Sequence, residues 1–287
     1  MSNKKKVFLV IGIIFTVEFI ISLFGEYDMS QIAAPFAKIH TVFGVKIPFN
    51  GINISTVLNT WLIMAVVIAG SYFFTRRLTP IPGRLQAIAE TYVSAFDTLC
   101  TEVLGKKRGR KFLPFVATLF IFVLLSNWVG VIPSFWHVVD GVFPHWLAIE
   151  EPTRDLNTTL GFGIMCFFVA HISGIYVRGF KGYVAEYFVT MPYDKGFNGG
   201  NIGKFIFNMF MGLLNIVGEI GKTISHSFRL FGNILGGAII MVVICNLIRF
   251  IVLPVFLNGF FGLFVGAVQA FVFTMLALVY VSVMVNE

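Results

Sequence analysis

Seven polar side chains recur inside one long apolar stretch, residues 205–248: Asn208, Asn215, Glu219, Lys222, His226, Arg229 and Asn233. On a helix turning about 100° per residue they fall within an arc of roughly 80°, so everything ionisable there shares one face. An acid, a lysine, a histidine and an arginine on one face at bilayer depth form a set that could handle ions. An arginine at that depth costs about 2.5–3.5 kcal/mol on insertion scales. Its guanidinium keeps its proton at any physiological pH, which makes Arg229 useful as a fixed charge and useless as a proton carrier. A plainer reading pairs Glu219 with Lys222, three residues on, and lets Arg229 snorkel to a headgroup. It fits poorly, because Arg229 lies near the middle of the stretch, far from both ends. Water or a partner protein must line this face. In the next apolar run Gln269 is the one strongly polar side chain at its depth, fit either for an amide bond between helices or for a place on an ion path.

The elements that must hold these groups are membrane helices. The chain has 287 residues, 57% hydrophobic and 12% charged, with 34 phenylalanines. Its mean hydropathy is +0.87, which excludes an ordinary soluble domain. Apolar runs long enough to span the bilayer lie near 7–24, 56–74, 112–132 and 158–177, with two more in 205–248 and 255–284. The expected fold is an all-α polytopic membrane protein with five or six membrane helices, the last two long and strongly tilted. Stretch 205–248 is twice the length an upright helix needs. It reads as a tilted helix rather than a hairpin, because no proline or turn cluster marks a tip, while Gly212, Gly218, Gly221, Gly232, Gly236 and Gly237 allow bends or close packing.

Charge sets the orientation. Residues 75–111 hold eight Lys or Arg and residues 178–204 hold four, which places both loops in the cytoplasm. Residues 133–157 carry Asp140, Glu150, Glu151 and Asp155 against Arg154 alone, and face outward with residues 25–55. The net charge of +7 is spread over these loops and points to topology rather than nucleic acid. Residues 1–50 divide off as a signal peptide or extra membrane helix with an outward loop, since basic KKK precedes the first run; residues 51–287 form one membrane domain. Residues 80–105 have helical apolar spacing with Glu90, Asp97 and Glu102 between, as in an interfacial or docked helix. Cys100, Cys166 and Cys245 show neither metal spacing nor a disulfide framework. Gly262 and Gly266 offer close approach to another helix.

SFRLFGN at residues 227–233, followed later by VQAFVFTMLALVYVS, closely resembles the arginine motif and terminal helix of subunit a of F-type ATP synthases, bacterial type. PTRDLNTTLG at 152–161 and PGRLQAIAE at 82–90 resemble further segments of that family, in its order. The resemblance implies a stator ion-channel subunit packed against a ring of c subunits, each bearing one ion-binding carboxylate. Arg229 would face the ring, attract a passing carboxylate in its ionised form and block leakage between two half-channels. Asn233 and Gln269 would flank it. Asn215, Glu219, His226 and Asp155 are the candidates for the half-channel open to the outside, and Lys222 would tune that path or pair with Glu219. The partners implied are the c-ring, the b subunits of the peripheral stalk and the rest of the complex, in a bacterial inner membrane. No catalytic residue, bound cofactor or metal site is expected; H+ or Na+ is the coupling ion.

Two departures bear on that ion. Some proton-using members carry a glutamate nine residues after the arginine and a histidine seven before the glutamine; this chain has Ala238 and Gly262. Either Glu219 and His226 replace that relay or the ion is sodium. Three other classes compete: an ion-coupled secondary transporter, which would show internal repeats; a self-contained channel, which would stand alone as a homo-oligomer; and an assembly scaffold, which would tolerate Arg229→Ala.

Overall fold

A computed structural model describes residues 38, 39, 41, 42, 45, 46, 52–76, 78–131, 151–188, 199–247, 256, 257 and 259–286. The first apolar run, 7–24, lies outside the described residues. In hydrocarbon every backbone polar group must be satisfied within the chain, so apolar segments of this length fold as helices. Six follow: α1 (Ile54–Thr75), α2 (Arg84–Leu104), α3 (Lys106–Trp128), α4 (Leu156–Phe188), α5 (Gly199–Leu247) and α6 (Gly266–Asn286). Before α1, two-residue strands pair antiparallel, Lys38 with Asn53 and Thr41 with Lys46. Five helical segments are long and apolar enough to cross a membrane: Thr56–Thr75, Lys106–Val131, Leu156–Tyr183, Ile202–Gly237 and Phe260–Val285. The expected all-α polytopic fold is found.

Several boundaries have local causes. Gly105, at φ 77°, ends α2, its N–H returning to Thr101 O at 2.9 Å, and the chain turns at once into α3. Asp155 starts α4 as a capping residue, its Oδ1 accepting from the Asn157 N–H at 2.9 Å. Gly179, at φ 75° and ψ 156°, breaks α4 near its end, a backbone state that side chains with a Cβ resist. The long stretch is one unbroken helix of 49 residues, about 73 Å at 1.5 Å per residue. The hairpin alternative is thereby removed. The last span opens with a π turn, Phe260–Val265, before the α-helical register of α6 resumes.

The described residues divide into two compact units. The first draws on Met1–Ile81, Phe120–Thr158 and Leu230–Val272, the second on Pro82–Leu119, Thr159–Arg229 and Phe273–Glu287. In the first, Asn127, buried near the end of α3, donates from Nδ2 to Gly266 O at 2.9 Å and accepts at Oδ1 from Thr153 Oγ1 at 2.9 Å. Trp128 Nε1 donates to Leu263 O in the π turn at 3.1 Å; a widened helix leaves carbonyls for such donors. Thr56 Oγ1 on α1 donates to Asp155 Oδ2 at 3.1 Å.

In the second unit α2 docks along its later half: Phe96, Cys100 and Leu104 are buried, and Tyr92 donates to Ala117 O at 2.6 Å. Its earlier half leaves Leu85 and Ile88 exposed, so the amphipathic helix expected over 80–105 is docked at one end only. The terminal carbonyls of α6 accept from arginines, Arg108 Nη1 to Val285 O at 3.0 Å and Arg178 Nη2 to Val283 O at 3.4 Å. Helix C-termini carry unsatisfied carbonyls and partial negative charge, which cationic donors offset.

Candidate functional site

The polar face of α5 splits along its length into two edges. Asn208 and His226 are buried and Glu219 is half-buried, whereas Asn215, Lys222 and Arg229 are exposed and Asn233 is half-exposed. Angular position accounts for this: Asn208, Glu219 and His226 lie within roughly 20° of one another, and Arg229 lies about 60° from His226. One edge packs into the protein and the other is uncovered.

His226 defines the inner edge. Its ring stacks on Phe273 of α6, centroids 3.8 Å apart at 19°, and meets the edge of Tyr280 at 5.4 Å. Among the described residues neither buried ring nitrogen has a hydrogen-bond partner, nor has the Thr274 hydroxyl, also on α6. A buried polar group left unbonded costs about 1–3 kcal/mol, so this ring is held where packing alone would favour a phenylalanine. Just beyond, α4 and α5 approach closely. A Cβ at Gly163 would collide with Ser227 Oγ and lie 3.2 Å from Thr223 O. Ser227 and Thr223 return their hydroxyls to their own helix, at 3.0 Å to Thr223 O and 3.1 Å to Glu219 O, and so present no unpaired donor at the crossing.

Lys222 Nζ donates to Glu219 Oε1 at 2.7 Å, the ion pair that their spacing suggested. With Lys222 half-exposed, the pair is local and does not engage Arg229. On the outer edge Gly218, Gly221, Gly232 and Gly236 have open space where a Cβ would stand, and Ser225 is exposed among them. These positions fall within roughly 60° of arc adjoining Arg229. The guanidinium therefore sits beside a smooth, uncovered strip.

The remaining expected residues lie in the first unit. Asp155 is engaged with Thr56 and Asn157, so its carboxylate organises the start of α4. Gln269 is buried on α6, and its Nε2 meets no acceptor among the described residues. The amide that does bond between helices is Asn127, which sequence reading did not single out. Also missed were Thr153, and His171 with Tyr183, hydrogen-bonded to each other across the Gly179 break in the second unit. A neutral polar residue in an apolar run leaves no periodic signal; only the partner on another element reveals it. Ala238 lies within α5 and Gly262 in the π turn, where Val131 fills the side-chain space. Among the described residues no group of three His, Cys, Asp or Glu side chains is placed to hold a metal.

A family model described as ATP synthase A chain matches residues 57–282. ATP synthase subunit a of Moorella thermoacetica is 34% identical over 229 residues, covering 79% of this chain and 89% of that protein. ATP synthase subunit a 3 of Pelobacter propionicus is 33% identical, covering 79% of this chain and 86% of its own length. A subunit a from Propionigenium modestum, described as sodium ion specific, is 33% identical over 79% of this chain and 72% of its own. With the model and these relatives spanning all five membrane segments, the chain belongs to the ATP synthase A chain family, as the multi-pass, ion-translocating membrane subunit of that assembly.

Proposed function

We propose that this chain is the stator of a rotary motor in a bacterial inner membrane, coupling H+ or Na+ flow to rotation of a c-subunit ring and so to ATP synthesis. One observation carries the reading: Arg229, charged and exposed within the apolar span Ile202–Gly237, beside an uncovered strip of glycines on α5. A ring of helices can approach such a strip closely, because no side chain projects from it. The guanidinium then meets each ring carboxylate at short range. It favours the ionised form, so the coupling cation leaves before the carboxylate passes. The length of α5 supports the same picture, since a helix of about 73 Å must tilt to stay near a hydrocarbon layer of about 30 Å, and a tilted helix can follow a curved surface.

We also revise one assignment, on the strength of the unbroken helix. Sequence reading gave Asn215, Glu219 and His226 to the outward half-channel. A single α5, however, begins beside the basic loop 178–204, and these residues precede Arg229 along it. We therefore place Asn215, Glu219, Lys222 and His226 in the half-channel open to the cytoplasm, with His226 as its buried polar surface. Asp155 and Gln269 belong to the outward path, and Asn233 lies one turn beyond Arg229 toward that side. The chain performs no covalent step. The b subunits of the peripheral stalk hold it still while the ring turns.

The test is Arg229→Ala in the complete complex reconstituted in liposomes. The variant is expected to assemble with the c subunits yet lose ATP-driven cation uptake, read with radioactive sodium and a pH-sensitive dye together. Normal uptake by the variant overturns the stator reading. In the parent complex, sodium uptake that persists with a protonophore identifies sodium as the ion, and acidification without it identifies the proton.

A further inference from the structure

Within the second unit α4 and α5 meet where Gly163 lies against Ser227 and Thr223. α4 runs into the basic loop 178–204 and α5 runs out of it, so the two helices are antiparallel. Eight residues toward that loop, about 12 Å, lead from Gly163 to His171 on α4. The same step leads from Thr223 and Ser227 to Asn215 and Glu219 on α5. On α4, Gly163, Phe167, His171 and Gly174 fall within roughly 80° of arc, as do Glu219, Thr223 and Ser227 on α5. The register therefore sets the half-buried His171 ring across from the Glu219–Lys222 ion pair, and the charges of both partners act on it.

The break in α4 supplies the other contact of this ring. His171 Nδ1 and the Tyr183 hydroxyl are hydrogen-bonded across 12 residues of sequence. An unbroken helix would hold residues so spaced about 18 Å apart, more than two side chains bridge. The turn at Gly179 brings them together. The Tyr183 ring lies over Gly174, where a Cβ would stand 3.1 Å from it and 3.1 Å from Met284 O near the end of α6. Phe167 meets the imidazole edge to face, centroids 3.8 Å apart. The titratable groups facing His171 are thus Tyr183 from beyond the break and Glu219 and Lys222 from α5. On α6, Tyr280 is reached by those same two charges and by Arg229, and its ring meets His226. Titratable side chains accordingly follow one another from Arg229 to the Gly179 break.

We infer that His171 is the proton-exchanging residue at the cytoplasmic mouth of the half-channel, passing protons between the Glu219 end and water beside the basic loop by way of Tyr183. The inference rests on the stator reading above and commits the coupling ion to H+. With Nδ1 engaged by Tyr183, Nε2 is the nitrogen at which the ring takes a second proton. A proton arriving at Nε2 is balanced by the Nδ1 proton passing to the Tyr183 oxygen and the phenolic proton passing to water. The pair keeps no charge between transfers, and exchange with water restores the starting tautomer. When the motor runs on ATP, the same steps run in reverse.

The experiment uses the complete complex in liposomes with its soluble sector outward, reading the rate of ATP-driven uptake with a pH-sensitive dye. External pH is varied from about 6 to 9, spanning the ordinary imidazole range, and ATP hydrolysis by the detached soluble sector is followed in parallel. His171→Gln is expected to move half-maximal uptake to about tenfold higher proton concentration, a modest share of what one positioned proton carrier contributes. Tyr183→Phe should shift it the same way by less. A merely structural role would lower uptake by one factor at every pH, and that result overturns the inference. If His171→Gln fails to assemble, Tyr183→Phe decides, since it removes only the hydroxyl, and an unshifted profile there overturns the inference equally. Sodium uptake that persists with a protonophore overturns it too, while leaving the stator reading in place. Normal uptake by Arg229→Ala ends both readings, whereas its loss beside an unshifted His171→Gln ends only the role of His171.

Discussion

The two units solve the same problem, closing helix ends with side-chain donors, by opposite chemistry. At the acidic-loop end the first unit uses neutral donors: the Asn127 amide, the Thr153 and Thr56 hydroxyls and the Trp128 indole. At the basic-loop end the second unit uses arginines, Arg108 and Arg178, on the last carbonyls of α6, with Ser282 donating to Val103 O at 3.3 Å. Fixed cations suit helix C-termini and suit the cytoplasmic side. The packing differs too. The second unit brings helices together at glycines, Gly163 and Gly109, while the first adds buried polar bonds to its own glycine contacts at Gly130 and Gly262.

That contrast breaks first at Gly163. A side chain there must displace Ser227 and press on the backbone at Thr223 O, 3.2 Å from a Cβ. Overpacking of this kind costs about 1–3 kcal/mol per site, more where backbone must move. Gly163→Val is expected to remove most of the subunit from purified complex, measured by subunit stoichiometry. Full incorporation would mean that α4 and α5 do not depend on this crossing. A smaller loss is expected at Asn127. Asn127→Leu leaves the Thr153 hydroxyl buried without its acceptor and removes one bond to the Gly266 carbonyl, for about 1–3 kcal/mol in water-soluble proteins and less in lipid, where such bonds average about 0.6 kcal/mol. Unfolding in mixed detergent should show the loss, with Thr153→Val restoring part of it. Trp128→Phe, at a partly exposed donor, should cost less than Asn127→Leu.

Length and hydropathy were enough to read the helices. The run expected at 56–74 is the span Thr56–Thr75, and 205–248 is one helix. The run at 112–132 extends back to Lys106 because lysine and arginine form helix well despite their polarity. The polar face of α5 was legible from period alone, but its division was not. Whether a residue at a given angle meets lipid, a partner or α6 depends on where Phe273 and Tyr280 come to rest against His226, which periodicity does not encode. Glu151 was visible only as one charge in an acidic loop; that its side chain lies over Gly130 was not legible. The division of the chain at residue 50 falls in a stretch of which only short strands are described.

The mildest test addresses the second unit at a thiol outside the membrane segments, Cys100 on α2. Gly109, at the start of α3, lies directly on the α2 backbone, where a Cβ would stand 2.6 Å from Cys100 O and 2.8 Å from Thr101 N. The Cys100 thiol, on the residue whose backbone Gly109 meets, is buried, and burial, then the charge of Asp97, push it up to about 11 from an ordinary 9.0. Between those values an unfolded chain has released the proton that the folded chain retains, so the contribution of this group to stability falls as pH rises from about 9 toward 11. Only the thiolate reacts with alkylating reagents. Cys100 should therefore stay unlabelled at pH 9, where a free thiol is half-ionised, and Gly109→Ala should raise its labelling severalfold by parting α2 from α3. Rapid labelling of the parent protein at pH 9 would show that α2 lifts freely from α3. The contrast between a glycine-packed basic end and a hydrogen-bonded acidic end would then hold only for the α4–α5 crossing.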